Sequence, residues 1–161
     1  FRGYSQSAED PALQLGVDYS TDSGLHLGAW ASNVDGYGDA DVELDLLIDY
    51  TLGSDETVKV TPGYVYYSYP GETDNNTGEF FVTVARSYFS GSVRYSNDWF
   101  TFGESFYYEL NGTFPIGETG FNVLAHYGYS DGTAFDGIEY SDYAFGVSKG
   151  FGNFIVVIGA A

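Results

Sequence analysis

Cysteine and methionine are absent from the 161 residues, and only Arg2, Lys59, Arg86, Arg94 and Lys149 carry a positive charge. Without cysteine there is no disulfide framework and no thiolate metal site. Against 23 acidic residues these five cations leave a formal charge of −18. Such a surface repels phosphate backbones, which excludes nucleic acid as a partner. No apolar run approaches the roughly 20 residues of a membrane-spanning helix. Histidine occurs only as His26 and His126, and no G-x-S-x-G turn is present. A Ser-His-acid hydrolase would need one of them beside a serine and an orienting acid, so no enzyme is expected. The chain begins at Phe1-Arg2-Gly3 as though inside an element, as expected of a processed or partial product.

Aromatic residues are abundant, with 16 Tyr and 13 Phe, which argues against the disorder that high charge alone would suggest. Their setting is a period of two. Leu13, Leu15, Val17 and Tyr19 alternate with Gln14, Gly16, Asp18 and Ser20, and Val42, Leu44, Leu46, Ile48 and Tyr50 alternate with Glu43, Asp45 and Asp49. Phe121, Val123, Ala125, Tyr127 and Tyr129 do the same against Asn122, His126 and Gly128. Successive strand side chains point to opposite faces, so each segment has one apolar face and one polar or small face.

Strands are expected at about 1–6, 12–20, 25–34, 41–51, 57–69, 79–88, 91–96, 104–114, 120–130, 142–150 and 153–161. Tight turns are expected at Thr21–Gly24, Leu52–Glu56, Phe89-Ser90, Pro115–Thr119 and Gly150–Asn153. Longer polar loops are expected at Ser7–Pro11, Asp35–Ala40, Pro70–Gly78, Asn97–Gly103 and Asp131–Ser141. Short and long connections alternate, as periplasmic turns and extracellular loops do in an outer-membrane barrel. A soluble sandwich has no reason to keep that asymmetry. Pro62 removes a ladder donor inside the fifth of these segments, so a bulge or an edge is expected there.

The aromatic positions fit the same object. Tyr19 and Tyr50 fall at the turn ends of outward registers, and Tyr66, Tyr95, Tyr108, Tyr127, Tyr129 and Tyr143 fall toward the loop ends. Aromatics at two levels with aliphatics between them make the girdles of a membrane barrel. Arg86 and Lys149 share that register at the turn end, where a long cationic side chain can snorkel to lipid phosphates.

Arg2-Gly3 with Ser5-Gln6, Asp10–Gln14, Gly28–Val34, Glu43-Leu44-Asp45, Gly63-Tyr64 with Tyr67, Tyr69-Pro70-Gly71 and Gly146–Lys149 occur in this order along nearly the whole chain. Together they resemble the TorF-type porin family of Gram-negative bacteria. The resemblance implies an outer-membrane barrel exported by a cleaved signal, with part of a preceding strand missing from this sequence. It supplies no catalytic residues.

The resulting expectation is one domain over residues 1–161: an all-β, antiparallel, up-and-down transmembrane β-barrel of about 12 strands, about 11 of them represented here. Loops would be extracellular and turns periplasmic. Asp18, Glu43, Asp45, Asp49 and Glu109 point to the lumen, with Lys59 and Arg94 as inward cations. A pore so lined favours cations, and the competing reading is a solvated polar face whose carboxylates pair with Lys59 and Arg94. Trp30, Leu47, Val65, Tyr67, Tyr107 and Leu124 point inward too and would narrow the lumen. The expected function is passive diffusion of small cationic or polar solutes, with a non-conducting envelope barrel as the alternative. No cofactor is expected. Asp35, Asp39 and Asp41 lack the spacing of a calcium loop and are weak candidates for loosely held divalent cations. Expected partners are outer-membrane lipid, lipopolysaccharide, permeant solutes and further copies of the chain as a homo-oligomer.

Overall fold

A computed structural model describes residues 2–54, 57–152 and 154–160, excluding the side chain of Phe154. Among the described residues the chain forms ten antiparallel strands: β1 (Gln14–Ser20), β2 (Leu25–Tyr37), β3 (Ala40–Tyr50), β4 (Lys59–Ser68), β5 (Thr77–Arg86), β6 (Phe89–Ser96), β7 (Ser105–Pro115), β8 (Phe121–Asp131), β9 (Tyr140–Phe151) and β10 (Phe154–Ala160). They pair strictly in chain order in one open sheet, with β1 and β10 at its edges. Among the described residues helix is confined to two single turns, Thr73–Asn75 and Thr133–Phe135.

The strand count is lower than expected. Residues 2–13 form no strand; Arg2, Gly3, Ala8 and Glu9 all have positive φ, a conformation incompatible with a continuous strand. This segment crosses the inner face instead. The Gln6 carbonyl accepts a hydrogen bond from Asp35 N at 2.8 Å on β2, Tyr4 packs edge-on against Tyr140 of β9 at 4.9 Å, and Arg2 reaches Glu79 of β5. One short segment touching β2, β5 and β9 requires a sheet curled around it.

The alternation of short and long connections breaks at two places. Gly36 and Gly38 take positive φ, so β2 and β3 shift register between Asn33 and Tyr37 and continue almost to their tip at Gly38-Asp39. Asp35 therefore lies in a strand rather than in a loop, and Asp41 lies in β3 as expected. The β3–β4 connection is longer, and its Asp55 and Glu56 lie outside the described residues, as does Asn153 of the last turn. The interruption expected at Pro62 falls on the β3 side. That ladder stops at Asp49↔Gly63 and resumes only as a bridge between Leu52 and Val60, while Pro62 stays in register with Val82 of β5.

Polarity is inverted relative to a water-soluble sheet. Leu46, Phe80, Leu110 and Phe145 on the outer face are 61%, 65%, 53% and 66% exposed. On the inner face Glu43 and Glu79 are buried. The apolar core is a small cap at the loop end, where Val34, Ala40, Val65, Tyr67, Tyr69 and Trp99 pack with Phe100 and Phe135 from the loops.

Candidate functional site

Inward phase, set by the two-residue period, carries ionisable groups from β1 to β9 onto the inner face. At its centre stands Glu79 of β5, fully buried. One terminal nitrogen of Arg2 donates to both its oxygens, at 2.7 and 2.8 Å. Nη1 of Arg94 on β6 lies 3.5 Å from Glu79, and its Nε donates to Glu109 of β7 at 3.0 Å. The Tyr67 hydroxyl adds a longer bond to Glu79 at 3.4 Å. The Arg2 guanidinium lies over Tyr107 at 4.2 Å and Trp99 at 4.8 Å, and Arg94 lies over Phe81 at 4.8 Å. Aromatic faces attract such cations and replace part of the water they lose.

Two smaller networks flank this one. Toward β9, the Tyr107 hydroxyl donates to Asp142 at 3.1 Å, and His126 joins Asp142 at 2.9 Å to Asn111 at 2.7 Å. Gly128 makes this arrangement possible, because a Cβ there would collide with the Tyr107 hydroxyl and the Asp142 carboxylate. Toward β1, His26 bridges Asp49 at 2.8 Å and Asp18 at 3.0 Å near the turns.

Glu43 is buried under the loop-end cap, where Gln6 Nε2 donates to it at 2.6 Å. Tyr69, just beyond β4, is also fully buried; loss of water, reinforced by the Glu43 carboxylate, pushes its phenol well above the usual range. It stays protonated.

The structure thus places Asp18, Glu43, Asp45, Asp49, Glu109, Lys59 and Arg94 on the inner face. It does not join them into one strip. Glu43 and Asp45 are neighbours at the loop end, Asp49 belongs to the His26 bridge, and Glu109 belongs to Arg94. Tyr19, Tyr50, Tyr66, Tyr108, Tyr127 and Tyr143 are exposed on the outer face, and Tyr95 and Tyr129 are half-buried there. Asp35, Asp39 and Asp41 are all exposed. Among the described residues no group of three or more His, Asp or Glu is placed to hold a metal ion.

Sequence reasoning missed Arg2, Glu79 and Asp142. Glu79 shares its phase with Phe81 and Thr83 against Phe80, Val82 and Val84, so its inward direction was readable from the period. Asp142 shares the phase of Ala144, Gly146 and Ser148, so its inward direction was readable in the same way. For Arg2 no local signal exists.

A family model described as "Bacterial protein of unknown function (Gcw_chp)" matches residues 1–161. No curated protein and no solved structure matches the chain.

Proposed function

The chain belongs to the Gcw_chp family of bacterial proteins, whose description carries no activity, and we propose that it is a porin-like β-barrel of the outer membrane, of the TorF type. In this reading it passes small cationic or polar solutes by diffusion. The observation that carries the proposal is the inverted polarity: aliphatic and aromatic side chains cover the outer face while carboxylates, guanidinium groups and histidines occupy the inner one. A large exposed apolar band needs a cover, and hydrocarbon supplies one without a protein partner.

Open edges do not survive in a bilayer, because each unpaired backbone group costs several kcal/mol there. In this reading the edges at β1 and β10 are therefore paired with further strands or with each other in the membrane. Outward Tyr residues at the turn and loop levels then meet the two lipid interfaces. The acidic lumen favours cations. Asp45 contributes a buried carboxylate oxygen that no donor among the described residues satisfies.

Planar-bilayer recording with a salt gradient tests the proposal. Discrete small steps with a cation-selective reversal potential are expected. Folded, inserted protein that stays silent would instead support a non-conducting envelope barrel, alone or as a homo-oligomer. One observation favours that second reading: Tyr67, Tyr69, Glu79 and Tyr107, toward the loop end, are all buried. Membrane placement itself predicts that Leu46→Arg, near the middle of β3 on the outer face, destabilises the inserted protein by about 2–4 kcal/mol. Urea titration in lipid vesicles reads that loss.

A further inference from the structure

Residues 2–13 cross the inner face instead of extending the sheet, and we propose that they form a strap that shuts the lumen at its loop end and opens it when displaced. The proposal rests on the channel reading. Below the strap the inner face is hollow. A recess of about 490 Å³ lies in its middle and turn half, against Asn111, Thr113, Leu124, His126 and Ala144. Another of about 460 Å³ lies at the turn end, against Ser20, His26, Asp49, Thr51 and Thr61. At the loop end Arg2 reaches inward with 7% of its side chain exposed, over the buried rings of Trp99 and Tyr107.

The strap is fastened at separated points, chiefly by polar contacts. Arg2 holds Glu79 of β5 at 2.7 Å. Gly3 lies so close to β9 that a Cβ there would stand 2.9 Å from the Cβ of Asp142. Gln6 Nε2 donates to Glu43 of β3 at 2.6 Å, and the Gln6 carbonyl accepts from Asp35 N of β2 at 2.8 Å. Leu13 N donates to the Asn33 side chain at 2.6 Å, where the segment leads into β1. Apolar anchoring is slight, since Tyr4 and Leu13 remain 55% and 84% exposed. A segment with few buried apolar contacts can leave its place without unfolding the sheet beneath it. Arg2, Ala8 and Glu9 also hold φ of +49°, +50° and +69°, a region unfavourable for such residues, and detachment relieves that strain. Few fastenings and stored strain make a two-position element, closed while Arg2 and Gln6 hold their carboxylates.

Planar-bilayer recording of two variants that leave Arg2 and Glu79 in place tests the strap. Gln6→Glu sets a second carboxylate against Glu43, and Gly3→Val forces a side chain toward Asp142. Gln6→Glu is expected to raise the fraction of time spent open about tenfold, as loss of one hydrogen bond to a charged group would. Gly3→Val should act in the same direction. Combining Gln6→Glu with Glu43→Gln restores an amide–carboxylate pair and should return the open fraction to the wild-type value. A nitroxide on Ala8→Cys reads the strap itself, and its spectrum should sharpen in both single variants but not in the swap. A label that stays immobile in both would overturn the proposal, because these contacts would not be what holds the segment. A freed label with an unchanged open fraction in a conducting protein would overturn it too, leaving the channel reading intact. A freed label in an inserted barrel that is silent throughout would overturn the channel reading and the gate with it.

Discussion

Glu79→Ala is expected to be the most damaging single substitution on the inner face, lowering stability by about 3–5 kcal/mol. Glu79 is fully buried and holds Arg2 at 2.7 Å and Arg94 at 3.5 Å. Removing its carboxylate takes from Arg2 its ion pair at 2.7 Å and leaves Arg94 with Glu109. Two guanidinium groups then face each other across a space with little water to screen them. The midpoint of urea unfolding in lipid vesicles reads the loss. Adding Arg2→Ala to Glu79→Ala should restore part of it, because the second change removes one stranded charge. Strictly additive losses in the double variant would show that the two residues do not act as a pair.

The second large effect concerns selectivity. Glu43→Gln, Asp45→Asn and Asp49→Asn together remove three carboxylates from the inner face of β3 while keeping side-chain volume and hydrogen-bonding capacity. In the channel reading the reversal potential under a salt gradient moves toward zero, because part of the negative field that excludes anions is removed. Asp49 is the residue whose contribution is shared, since His26 stands 2.8 Å from it. An unchanged reversal potential in a conducting triple variant would remove this strand from the permeation path.

Much of the fold was legible in the sequence, because a sheet with one apolar and one polar face writes its pattern locally. The phase of β3, from Val42 to Tyr50, needs no knowledge of any other strand, and the structure keeps it. Connections were read less well for equally local reasons. Asp35–Ala40 looks like a loop from its Asp and Gly content, yet the same glycines allow a bulge and a two-residue tip within a long hairpin. The site was legible only in part. Inward direction follows from the period, but pairing does not: Arg2 and Glu79 are separated by 77 positions, and their meeting depends on residues 2–13 turning inward rather than extending a strand. Even the correctly phased carboxylates of β3 divide between different partners, which no one-strand pattern specifies.

The most direct test of the central claim is the environment of the two faces. The chain has no cysteine, so single cysteines at Leu46, Val82, Val93, Leu110 and Val123, and at the inward Thr83, Ser92 and Asn111, can each carry a nitroxide label. In lipid vesicles the outward labels should collide readily with dissolved oxygen and poorly with a water-soluble nickel chelate, and the inward labels should not share that lipid signature. Outward labels that are freely reached by the nickel chelate in folded, vesicle-bound protein would contradict the account, because the apolar face would then not be facing lipid.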